Sequence, residues 1–167
     1  MNKRDAFIYG GGDGKLGSIV GGSPADGSRL RTSFLKGMPA LATLIDRVNA
    51  FRVAHKGHIR ALDGRMIPVS ASHVTLNYLL QSAGAILSKA WMREFHTLCS
   101  AQGYTHGKDY MQMLWVHDEL QIATRDELAV TIGELCVKAI ENVGEQYKLK
   151  CPITGEFEIG KTWKDTH

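Results

Sequence analysis

Apolar residues recur three and four apart along much of this chain, with shorter alternating runs between them. Leu30, Phe34 and Leu35 predict a helix over 28–37, closed by Gly37. Pro39 opens a longer helix whose face is Leu41, Leu44, Ile45, Val48 and Phe51, and Gly57 should stop it. Between the Gly10-Gly11-Gly12 and Gly21-Gly22 breakers, residues 15–20 predict a short helix. Residues 58–69 alternate loosely about Asp63-Gly64, which predicts strand, tight turn, strand. Ser72 is the expected N-cap of a long helix over 73–102. Its wide face holds Leu76, Leu79, Leu80, Ala83, Ile86, Leu87, Ala90 and Trp91, and Gly103 closes it. The uncharged run 111–116 reads as a buried strand, with Met111 and Met113 packed in the core. The chain turns at His117-Asp118-Glu119 into a second strand ending near residue 124. Arg125-Asp126-Glu127 opens a last helix with Leu128, Ile132, Leu135, Val137 and Ile140 on its core side, and 156–159 is expected to be a final strand. The pattern is α+β: antiparallel strands with long helices.

Length and composition bound this picture without changing it. A chain of 167 residues with 44% hydrophobic content suits one domain or a piece of a larger one. No apolar run approaches the ~18 residues of a membrane span, and no apolar stretch follows Met1-Asn2-Lys3-Arg4-Asp5 as in a signal peptide, so no membrane partner and a cytoplasmic setting are expected. Cys99, Cys136 and Cys151 are widely spaced and read as reduced thiols. Charge is uneven: residues 1–93 carry 13 Lys/Arg against 5 Asp/Glu, and residues 94–167 carry 7 against 12. A basic first half suits a polyanion such as a phosphate backbone. Charge alone is met equally well by a wet helix face bearing Arg47, Arg52 and Lys56.

Asp118 and Glu119 are the sharpest chemical feature. Carboxylates at the end of an apolar strand call for a cation, and a hard divalent metal is the usual one. The plain alternative is the acidic tip of a solvated hairpin. Asn77 and Gln81 stand four apart on one face of the long helix, where they are boundary residues or amides that donate to minor-groove acceptors. Arg65 follows the tight turn and would suit a phosphate or sugar. Two other patterns carry nothing. Gly10-Gly11-Gly12-Asp13-Gly14-Lys15 fails as a phosphate loop, because Tyr9 stands where the first glycine is needed and Leu16 where Ser or Thr belongs. His55 and His58 have no third ligand nearby and read as surface histidines.

Taken in order, Tyr9-Gly10-x-Gly12-Asp13-x-Lys15-x-Gly17, Leu62-Asp63-Gly64-Arg65, Leu76-Asn77-x-Leu79-Leu80-Gln81-Ser82-Ala83-Gly84-Ala85 and Val116-His117-Asp118-Glu119-x-Gln121 resemble the C-terminal part of family A DNA polymerases, the bacterial polymerase I type, and most closely the podophage replicative kind. The likeness covers essentially the whole chain. It implies a palm portion over 58–167 and a helical remnant of the fingers over 1–57. His117-Asp118-Glu119 would be the family's motif C at a palm hairpin tip. Asp118 would ligate Mg2+ at the primer terminus and incoming deoxynucleoside triphosphate, Glu119 would support that site, and His117 would lie near the primer end. Asn77 and Gln81 would touch primer–template DNA, and Tyr9 would lie near the templating base.

The departures from the family carry as much. Its fingers helix has Arg-x-x-x-Lys, with the Lys eight residues before Tyr-Gly; here that place is Met1 and the Arg falls off the chain. The motif supplying the other metal-bridging aspartate has no counterpart, nor have the thumb, the exonuclease and most of the fingers. The expectation is a split polymerase whose second polypeptide supplies the rest. The alternative is a truncated, inactive remnant acting at most as a nucleic-acid-binding or interaction module. Another metal-dependent phosphotransferase built on Asp118 and Glu119 would leave the Asn77/Gln81 helix unexplained.

Overall fold

Ser23 fixes the first helical corner. In the computed structural model, which describes residues 10–166, its side chain accepts from the Asp26 backbone N–H, while the Asp26 carboxylate accepts from the Ser23 N–H at 2.8 Å. This capping box, with Pro24 next, starts a helix earlier than the apolar spacing indicates. The helix is Pro24–Gly37 (α2), preceded by Asp13–Ile19 (α1). The two cross at glycines. A Cβ on Gly27 would stand 1.9 Å from the Asp13 carbonyl oxygen, and one on Gly17 2.1 Å from that of Ser23. Leu16 is buried at this crossing among Ile19, Leu30, Phe34 and Leu35, with Leu41 and Ile45 from the next helix, Pro39–Ala54 (α3).

The chain divides into two compact units, Met1–Ala83 and Gly84–His167. In the first, α3 ends as Lys56 and Gly57 take positive φ of 52° and 87°, and the chain turns into a hairpin of His58–Arg60 (β1) and Met66–Pro68 (β2). Residues 57 and 58, where the sequence suggested a boundary, both lie within this first unit. The hairpin loop is Leu62-Asp63-Gly64, longer than the two-residue turn that Asp63-Gly64 suggests. Gly64 N donates to Ala61 O, Ala61 N donates to Arg65 O, and Gly64 alone takes the positive φ, 89°. Arg52 Nε ties α3 to this hairpin's exit by donating to Val69 O at 3.0 Å.

Ser72 is not a side-chain cap. It begins a 3-10 turn, Ser72–Val74, and the long helix Thr75–Ala101 (α4) follows, with the Thr75 hydroxyl donating back to Ala71 O. The helix runs through the division at residues 83 and 84.

The second unit packs the latter part of α4 with the antiparallel hairpin Tyr110–Val116 (β3) and Glu119–Thr124 (β4) and with helix Ala129–Gln146 (α5). Phe95, Cys99, Tyr110, Ile132, Cys136 and Ala139 form its core. The Phe95 and Tyr110 rings meet edge to face at 5.3 Å. Polar ties close the helix pair: Trp91 Nε1 donates to Cys136 O at 2.7 Å, and Asn142 donates to the Glu94 carboxylate at 2.9 Å. Arg125-Asp126-Glu127 leads into a 3-10 turn, Asp126–Leu128, before α5 proper begins.

Three expectations fail here. The strand over 111–116 is not buried along its length; Tyr110 is, whereas Met113 is 60% exposed and Met111 and Leu114 are also open. A two-stranded ribbon has one covered face, so half its residues look outward. The two methionines are therefore not core residues. Nor do residues 156–159 form a strand. The alternation is present, but the segment pairs with no edge and instead lies along α5. Ile153 sits over Gly144 and Phe157 over Gly133, where an added Cβ would stand 2.4 Å from the ring. Among the described residues no helix is long and apolar enough to cross a membrane.

Candidate functional site

The hairpin of β3 and β4 brings the acidic doublet to its tip. Leu114 pairs with Gln121, Trp115 with Leu120 and Val116 with Glu119, so His117 and Asp118 form a two-residue loop and Glu119 is the first residue of β4. Tight hairpin loops require a positive φ to match the strand twist. His117 supplies it at φ 55°, where a side chain costs about 1–2 kcal/mol that glycine would not. Strain of this kind persists where neighbours fix it, and here they do. Trp115 Nε1 donates to the His117 carbonyl at 2.6 Å, tying an indole across the tip. A register shift between Gln112 and Leu114 leaves Met113 unpaired and bends the strand below it.

The two carboxylates are not equivalent. Asp118 is exposed on the loop and makes no hydrogen bond or ion pair among the described residues. Glu119 is half-buried, and the Gln121 amide, two residues on and so on the same strand face, donates to its Oε1. An open, unengaged carboxylate thus stands beside a braced one. Trp115 and Gln121 are the positioning residues that sequence reasoning left without a role. The signal for Gln121 was present, since strand residues two apart share a face.

Asp118 offers hard oxygen donors to solvent, as Mg2+ requires, and Glu119 adds a second carboxylate at the next position. Among the described residues no group of three or more His, Cys, Asp or Glu side chains gathers to hold a metal ion. The donor set therefore fits part of a Mg2+ shell. That ion commonly takes one or two protein carboxylates and completes its octahedron with substrate phosphates and water.

The remaining candidates lie in the first unit. Gln81 is exposed on α4. Asn77, one turn earlier, has its carbonyl oxygen buried without a partner. Arg65 is exposed but engaged: its Nε donates to Asp63 at 2.7 Å, and this bond holds the Asp63 carboxyl below the usual carboxylate range. Tyr9 lies outside the described residues. His55 stacks on Phe51 with ring centroids 3.7 Å apart, as a surface histidine capping its own helix.

With this geometry in place, the comparisons with known proteins fall into line. Residues 6–165 match the model of DNA polymerase family A. The chain is 36% identical to the DNA-directed DNA polymerase of Enterobacteria phage T3 and 34% identical to that of Escherichia phage T7, each over 96% of this chain. It spans 25% of the length of each of those relatives. The polymerase domain of Pol1 from M. smegmatis, solved with DNA primer-template and dNTP, shares the fold with a TM-score of 0.71 at 16% identity, over 84% of this chain and 26% of its own. The chain belongs to DNA polymerase family A.

Proposed function

We propose that this chain supplies the motif C portion of a DNA-directed DNA polymerase and works in the host cytoplasm with a second polypeptide that carries the remaining motifs. Residues 1–57 contribute to the fingers and 58–167 to the palm. The observation that carries the reading is the open Asp118 carboxylate on a strained hairpin tip that Trp115 braces.

In this reading Asp118 ligates Mg2+ and Glu119, steadied by Gln121, supports it. When bound, the ions would stabilise the attacking 3′ oxygen and the leaving pyrophosphate of the deoxynucleoside triphosphate. His117 sits beside the primer end and keeps the loop in the conformation that presents Asp118. Gln81 and Asn77 donate to minor-groove acceptors of the primer–template, whose A·T and G·C pairs all offer one, so the contact tolerates any sequence. Arg65 exchanges its Asp63 partner for a phosphate, and Tyr9 lies near the templating base.

Primer extension by the chain combined with the remaining parts of such a polymerase tests this. Asp118→Ala should lower extension by about 10²–10³-fold, the scale of losing one charge-stabilising group in a transition state, with primer–template affinity nearly unchanged. Trp115→Phe keeps the ring and loses the bond to His117, and should cost ~10-fold, as outer-shell partners do. Equal extension by wild type and Asp118→Ala removes the metal role. No extension by the wild-type combination favours the inactive remnant instead.

A further inference from the structure

Positive charge also gathers at a place on the Gly84–His167 unit that the polymerase reading does not use. Lys89, Arg93 and His96 stand four and then three residues apart on α4, one stripe about 10 Å long at ~1.5 Å per residue. His106 faces it, and Met92 and Gln112 complete a shallow, open depression of about 410 Å3. No carboxylate lines it. The two acidic residues nearest in sequence are committed elsewhere. Glu94 accepts from Asn142 and Gln146 at 2.9 and 3.1 Å. Asp109 accepts from the Thr105 N–H at 2.9 Å and from Arg125 at 3.2 Å. Lys89 and Arg93 make no ion pair among the described residues.

The imidazoles are held rather than loose. His96 Nδ1 lies 2.6 Å from the hydroxyl of the buried Tyr110. His106 Nε2 accepts from the Gln112 backbone N–H, which leaves its Nδ1–H to donate. The two rings stand 6.0 Å apart, nearly perpendicular. The depression therefore offers two permanent cations, an imidazole donor on His106 and flat carbon surfaces, in a form too open to enclose a small molecule.

We propose that this depression binds a single strand of nucleic acid through its phosphates, apart from the primer terminus. Arg93 and Lys89 take the phosphates, one as a planar fork and one as a point charge. Imidazole faces and Met92 contact bases without regard to identity, as single-strand platforms do. Gln112 is five strand residues below the His117 tip, about 16 Å at ~3.3 Å each. That separation sets the depression apart from the Asp118 tip.

The test is fluorescence anisotropy of the whole chain with a labelled oligo(dT) of about 20 nucleotides, longer than one strand-binding site. The double variant Lys89→Ala/Arg93→Ala should bind at least ~10-fold more weakly. Its slope of log affinity against log salt should be shallower by about 1.4, ~0.7 for each phosphate no longer neutralised. Both side chains are exposed, so the variant should fold, and an unchanged circular dichroism melt confirms it. Asp118→Ala should keep the wild-type slope, which separates this site from the proposed metal site. Unchanged affinity and slope in the double variant overturn the proposal. So does displacement of the oligonucleotide by polyglutamate at equal charge, which assigns the surface to an acidic protein. Displacement by millimolar inorganic phosphate overturns it as well, in favour of an isolated phosphate ligand.

Discussion

Cys99 and Cys136 show how far burial sets the chemistry of single residues in this chain. Both lie in the core of the second unit, whereas Cys151 is exposed. Removal from water penalises the thiolate, which pushes Cys99 up to about 11 from an ordinary 9.0. Cys136 goes higher, to about 12, chiefly because burial penalises its thiolate more heavily, with the charge of the Cys99 sulfur adding to it. At pH 8 both stay protonated and shielded, so a thiol reagent such as iodoacetamide should modify Cys151 alone in the native chain and all three cysteines in denaturant. Rapid native labelling of Cys136 would contradict this packing. The same shifts set a sign for stability. The unfolded thiols ionise near 9.0, the folded ones only near 11 and 12. Their contribution is complete below pH 9 and lost as pH rises toward 12.

Between elements, the tightest constraint is the crossing of α1 and α2. The backbones meet at Gly17 and Gly27, where an added Cβ would stand about 2 Å from a carbonyl oxygen of the other segment. Backbone cannot swing aside as a side chain can, so Gly27→Ala should destabilise the first unit by about 1–3 kcal/mol despite alanine's better helix propensity. A lowered denaturant midpoint with unchanged slope is the expected reading, and equal or raised stability would refute the close approach. This crossing also explains part of what the sequence displayed. Gly17 belongs to a run that resembles a polymerase motif, yet its place in this structure is one of packing. Helices were legible because their signal is local: apolar spacing, Pro39 and the closing glycines mark them within a turn. The hairpin carrying Asp118 was legible for the same reason, since a strand, a two-residue loop and a return strand lie together in sequence. What no local pattern carries is whether a partner is present. Residues 156–159 alternate like a strand but meet the side of α5 rather than a sheet edge. Residues 111–116 are apolar like a buried strand, but the ribbon has a single covered face. The capping box at Ser23 was readable from Ser23 and Asp26, but the glycines before it drew the start of that helix too late.

At the scale of the whole chain, apolar burial is unevenly shared. The second unit gathers six buried residues, from Phe95 to Ala139, into one cluster crossed by two helices and the hairpin. In the first unit the cluster beneath α1, α2 and α3 centres on Leu16 alone, and α3 buries no residue fully. Local opening costs roughly what the opened segment buries, so the two regions should differ in protection against hydrogen exchange. Amides of α5 between Ile132 and Val143, whose inward face is buried at every turn, should be the slowest in the chain. Those of α3 should exchange at least ~100-fold faster, a gap of about 2.7 kcal/mol in opening free energy. The comparison needs no activity and no partner, and mass spectrometry of the exchanged chain resolves both helices. Equal protection across α3 and α5 would mean that α3 is already covered in the isolated chain. If protection of α3 rises when the remaining polymerase parts are added, while that of α5 stays as it was, the lightly packed helices are the side of the chain that awaits its complement.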